Sequence, residues 1–119
     1  MVLASPVNTK VQIKTNCLID TGCSCPLIIP ESLATDLGLE IIEGEVDLLL
    51  GGDTPAEGVK KAKLTIILHT LEAIYHLPCT ALVLEENRPV IGTPVLDIIC
   101  RKTGTRFIMD FQKALISFE

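Results

Sequence analysis

Apolar residues along this chain fall in short runs punctuated by polar residues, glycines and prolines, the pattern of strands and not of long helices. Val7 to Ile13 alternates in the strand manner, and Lys14-Thr15-Asn16 reads as a polar turn. Cys17-Leu18-Ile19 follows as a short buried strand that runs directly into Asp20. Leu27-Ile28-Ile29 is a second apolar run, stopped by Pro30. Glu31 to Leu37 is expected to be a short helix, with Pro30 near its first turn and Gly38 just past its end. Glu45 to Leu50 and Val59 to Leu68 form two strand candidates around the polar tip from Gly51 to Gly58, a long hairpin. Tyr75 to Leu84 is a further strand in which Pro78 calls for an edge or a bulge. After a polar turn at Glu85 to Arg88, Pro89-Val90-Ile91-Gly92 reads as a buried strand ending in glycine. Thr93-Pro94 can cap and open a short helix from Val95 to Cys100. Arg106 to Asp110 and Ala114 to Phe118 complete the chain as a hairpin turning near Gln112-Lys113. Many short strands with few helices indicate a single, mostly-β domain over residues 1–119.

Composition changes this picture in three ways. Hydrophobic residues make up 48% of the 119 positions but aromatics only 3%, so the core must be built from Val, Ile and Leu. A net charge of -5 argues against nucleic acid or an anionic membrane surface as the main partner. The local basic run Lys60-Lys61-Ala62-Lys63 is read as a solvated strand end. The first residues have neither the basic opening nor the apolar run of a signal peptide, and His69, Glu72, His76 and Pro78 interrupt the stretch from Leu64 to Leu84. These features predict a soluble, cytoplasmic protein. Five cysteines cannot all pair within one chain, so reduced thiols are expected. Cys23 and Cys25 form a C-x-C pair with no second pair or nearby His, which disfavours a zinc site.

The feature that carries chemistry is Asp20-Thr21-Gly22. A carboxylate at the end of a buried strand is costly unless it is hydrogen-bonded, shares a proton or is functional. Gly22 permits a tight turn with close approach of other groups, and Thr21 offers a hydroxyl that can brace the loop. One such Asp makes a poor hydrolase. Two carboxylates a few ångströms apart hold one proton between them, because like charges so close cannot both ionise. The ionised member can then act as general base on a water while the protonated member polarises a carbonyl. Only one D-[TS]-G is present: Asp36-Leu37-Gly38 has Leu in the middle and Asp53-Thr54-Pro55 ends in proline. The chain thus supplies one loop of this kind.

The order of these elements resembles that of the retropepsin-like aspartic peptidases, including retroviral proteases and their small microbial relatives. The matching parts are Leu18-Ile19-Asp20-Thr21-Gly22, the strand Leu27 to Ile29, the helix ending Leu37-Gly38-Leu39 and the glycine-tipped hairpin at Leu48 to Val59. Val90-Ile91-Gly92, a short helix and a closing strand pair follow. The resemblance implies a closed, mostly-β barrel with one or two short helices, in which one Asp per subunit meets its twin across a two-fold axis. It implies that Asp20 is catalytic, that the Thr21 hydroxyl reaches across the dyad, and that the Gly22 N–H faces the carboxylates. Cys23 and Ser24 would continue the active-site loop. Leu50, Gly51, Gly52 and Asp53 would belong to a flap over a bound peptide, and Val90, Ile91 and Gly92 would support the pocket or the loop. It implies a homodimer acting on a peptide or an unfolded protein, without cofactor or metal.

Two positions depart from the family pattern. Cys23 stands where the family has Ser or Ala, and a thiol is a far weaker donor to the carboxylate than a serine hydroxyl. Activity is therefore expected at mildly acidic to near-neutral pH, as with the alanine-bearing relatives. The flap tip is polar and acidic, with Asp53, Glu57 and a rigid Pro55. Among the remaining candidates, Cys23 and Cys25 could form a redox switch, but small buried hydrophobes are the favoured reading. His69 and His76 are assigned to strand faces or edges, Asp97 to a helix surface and Asp110 to a turn. The alternative to an endopeptidase is a catalytically silent dimer of the same fold, used for peptide binding or assembly.

Overall fold

Two long antiparallel strands form the centre of the chain, and the rest is arranged around them. The computed structural model describes residues 1–44, 59–70, 72–85, 87–113 and 115–119. In chain order the elements are β1 (Val2–Ala4), β2 (Gln12–Lys14), β3 (Leu18–Ile19), β4 (Leu27–Pro30), α1 (Glu31–Asp36) and β5 (Ile41–Gly44). They continue with β6 (Val59–His69), β7 (Ile74–Leu84), β8 (Val90–Ile91), α2 (Thr93–Thr103), β9 (Phe107–Asp110) and β10 (Leu115–Phe118). One sheet runs β2-β1-β6-β7-β4-β8-β3, with β5 paired to the first half of β6, while β9 and β10 form a separate hairpin. The large sheet is curled and open, so the expected closed barrel is not formed by the described residues of one chain. Its end strands β2 and β3 are not paired with each other.

Alternation along the two long strands explains the sheet's two faces. Ala62, Leu64 and Ile66 on β6 and Leu77, Ala81 and Val83 on β7 project to one side, where they join Leu27, Ile29, Leu33, Val95 and Ile99 in the main core. Lys61 and Lys63 point away, as a solvated basic run requires. α1 buries Leu33 and Ala34, and the chain then reverses through Gly38 in the left-handed region at φ 65°. α2 buries Val95, Leu96 and Ile99 along one stripe and carries Arg101 and Lys102 in its last turn, where they complement the helix dipole. It stops at Gly104, whose left-handed backbone returns its N–H to the Cys100 carbonyl.

Several expectations need correction. Val7 to Ile13 is not one strand: the chain turns at residues 5–11, where the Ser5 N–H donates to the Val11 carbonyl at 2.9 Å, and only Gln12–Lys14 pairs with β1. β1 and β5 were not anticipated, and Ile41–Gly44 pairs with residues 59–62 of β6; the candidate Glu45 to Leu50 lies outside the described residues. Pro78, by contrast, keeps the edge position that the sequence calls for, since among the described residues β4 pairs only with residues 82–84 of β7. α2 begins at Thr93 itself, with Gly92 at the N-cap position, and runs three residues past the expected Cys100. No described helix is long and apolar enough to cross a membrane.

Candidate active site

The Asp20 loop joins β3 to β4, and β8, which arrives from the other end of the chain, lies between those two strands. β8 pairs in parallel with β3 (Leu18 with Val90, Ile19 with Ile91) and antiparallel with β4 (Leu27 with Ile91, Ile28 with Val90). The ladder continues into the loop, since the Asp20 N–H donates to the Ile91 carbonyl at 2.9 Å. The Cys23 N–H then returns to the Asp20 carbonyl at 3.1 Å, so Asp20-Thr21-Gly22-Cys23 is a hydrogen-bonded β-turn. Inside it the Gly22 N–H donates to Asp20 Oδ1 at 3.0 Å, which fixes the carboxylate over its own turn.

The rest of the loop rests on the junction of β8 and α2. The Gly92 N–H donates to the Pro26 carbonyl at 3.1 Å, and Thr93 donates to the Cys23 carbonyl from its backbone N–H at 3.1 Å. Gly92 is required by space: a Cβ there would stand 1.8 Å from the Cys25 carbonyl oxygen and 2.8 Å from that of Cys23. Val90, Ile91 and Gly92, anticipated as support for the pocket or loop, thus contact the loop or its flanking strands. Thr93 was read only as a possible helix cap; its contact with the loop could not be inferred from the capping pattern.

Burial differs from the sequence expectation. β3 was taken as a buried strand, yet Leu18 is 45% exposed and Asp20, Thr21, Gly22 and Ser24 are exposed in the single chain. The reason is that β3 is the last strand of the sheet, with nothing paired on its outer side among the described residues. The desolvation cost that singled out Asp20 is therefore absent from one isolated chain.

Sheet register places an apolar row beside the loop. Leu18, Val90, Ile28 and Leu82 are successive cross-strand partners on β3, β8, β4 and β7, on the face opposite the main core. Cys25, Val59 and Leu82 form a small buried cluster on this face, with Cys23, Ile28 and Leu84 packed against it. Cys25 is 4% exposed, and burial, together with the neighbouring Cys23, pushes its thiol up to about 11. Cys23 is half-buried, its Sγ 3.7 Å from the Cys25 carbonyl. All five cysteines are free thiols. Leu50, Gly51, Gly52 and Asp53, expected to form the flap, lie outside the described residues; Val59 is the first described residue after them.

The other candidates occupy the places expected for bland roles. Asp97 accepts from Arg101 Nε at 3.0 Å on the exposed side of α2, and Asp110 accepts from the backbone of Gln112 and Lys113 in the β9–β10 turn. His69 and His76 are exposed on β6 and β7. A cavity of about 740 Å³ is lined by Met1, Val2, Gln12, Lys14, Ile67, Leu68 and His69, none of them in the Asp20 loop. Comparison of the chain with family models, curated proteins and solved structures found no match.

Proposed function

We propose that this chain is one half of a homodimeric aspartic endopeptidase of the retropepsin-like kind. The observation that carries the reading is the presentation of Asp20: an exposed carboxylate, held by the Gly22 N–H on a turn pinned to β8, beside an apolar row that is exposed at Leu18 and half-buried at Val90 and Ile28. A lone exposed carboxylate hydrolyses nothing at a useful rate. Set against its twin across a two-fold axis it shares one proton, and the pair activates water and polarises the scissile carbonyl in turn. In this reading an extended peptide lies over Leu18 and Val90, and the exposed Thr21 hydroxyl braces the partner loop. In this reading the curled sheet is part of that family's barrel, while the flap expected at residues 50–53 lies outside the described residues. The chemistry requires neither a metal nor a covalent intermediate, and the working compartment is the cytoplasm.

The test is cleavage of unfolded casein or a peptide library, with and without a statine inhibitor, by the protein and by Asp20→Asn. Asn keeps the shape and the acceptor oxygen for Gly22 but cannot share a proton as an acid. Cleavage should disappear while fold and dimer persist; cleavage surviving the substitution refutes the assignment.

A further inference from the structure

Thr93 makes two hydrogen bonds to one acceptor. Its backbone N–H reaches the Cys23 carbonyl at 3.1 Å and its Oγ1 reaches the same oxygen at 3.2 Å, across 70 residues of sequence. A threonine hydroxyl at the N-cap position satisfies the helix's own free N–H groups, but Thr93 stands one residue further on, at the first helical position. Here the N-cap is Gly92, without a side-chain cap, and the hydroxyl points outward to the loop. The accepting residue is the one whose N–H closes the turn onto Asp20. A chain of bonds thus runs from Thr93 to the Cys23 carbonyl, through that residue to its N–H, and on to the Asp20 carbonyl. The other tethers of the loop, from Ile91 to Asp20 and from Gly92 to Pro26, hold its two ends and use backbone atoms alone. Thr93 holds its middle.

We infer that Thr93 is a positioning residue for the Asp20 turn, its hydroxyl fixing the Cys23 carbonyl and through it the direction in which Asp20 is presented. The inference rests on the peptidase reading for its catalytic consequence, but not for the tether itself. A site assembled from two chains demands close placement of each carboxylate, since a displacement of about 1 Å costs about a hundredfold in rate. One hydroxyl bond in an exposed turn restrains only part of that displacement. The effect should therefore be modest and should fall on turnover, not on binding.

The experiment compares the full-length protein with Thr93→Val, which keeps the β-branched shape and loses the donor, and Thr93→Ser, which keeps the donor. Thr93→Ala serves as a second donor-less variant should valine fail to fold. Removing the donor is expected to lower kcat about fivefold with KM within about twofold, and serine should restore it. Amide hydrogen exchange at Gly22 and Cys23 should quicken in Thr93→Val and remain at the wild-type rate in Thr93→Ser. Unchanged kcat and unchanged exchange in both donor-less variants would overturn the inference, as would a serine variant as impaired as valine. If the unaltered protein cleaves nothing, the peptidase reading falls, and the exchange measurement alone decides whether Thr93 holds the turn.

Discussion

Gly92 is constrained by space and not by conformation. Its φ of -93° is open to any residue, yet a Cβ would overlap the Cys25 carbonyl at 1.8 Å. Both atoms in conflict are backbone, so no rotamer change relieves the clash. Gly92→Ala should destabilise the fold by at least about 2 kcal/mol, read as a lowered urea midpoint. The thiols give a second expectation at this scale. Burial raises Cys25 and Cys79 each to about 11 from the ordinary 9.0, so the folded state holds their protons where the unfolded chain releases them. The stability this supplies is complete below about pH 9 and is lost as pH climbs toward 11. Urea midpoints should be flat in this respect up to pH 9 and fall between pH 9 and 11, with the fall reduced in Cys25→Ala/Cys79→Ala. In the peptidase reading Cys23 bears on activity instead: its thiol, directed at the Cys25 carbonyl, adds no side-chain donor to the backbone bond that Asp20 accepts from Gly22, and the pH–rate profile should peak at mildly acidic to near-neutral pH. A maximum well below about pH 4 would contradict that expectation.

Elements with both a periodic interior and a marked end were legible in the sequence. β6 and β7 were, because inward Ala62, Leu64 and Ile66 alternate with Lys61, Lys63 and Thr65, and inward Leu77 is flanked by His76 and Pro78; Leu82, between inward Ala81 and Val83, is apolar because the opposite face is covered there. α1 and the β9–β10 hairpin were, because Pro30, Gly38 and the Asp110 turn mark their limits. Val7 to Ile13 misled because its spacing is that of a strand, while its backbone bonds are spent within the turn at residues 5–11. β1 and β5 were missed because three or four residues are too few to show a period; long-range pairing to β6 makes them strands. Leu64 is the clearest probe of the central pair, being 1% exposed in the main core. Leu64→Ala should cost about 2–5 kcal/mol without abolishing cooperative unfolding, measured by thermal or urea denaturation.

At the scale of the molecule, the turn at Asp20-Thr21-Gly22 was legible from its residues, whereas its exposure was not. Whether Leu18 and Asp20 are covered depends on β3 being the last strand, a property of topology with no signature in Cys17-Leu18-Ile19. The proposed dimer carries its own expectation. Light scattering should give about twice the 12.9 kDa of one chain at working concentration. On dilution, activity per chain should fall as the dimer dissociates; constant specific activity in a demonstrably monomeric sample would contradict the two-chain site.

The insertion of β8 between β3 and β4 also sets a timetable. The Asp20 turn is synthesised about 70 residues before its tethers at Ile91, Gly92 and Thr93. Loop-closure entropy makes such distant pairing a late event in folding. While those intervening residues are being made, the chain carries the Asp20 motif in an unsupported form. Any fragment cut before β8 contains the motif without the scaffold that presents it.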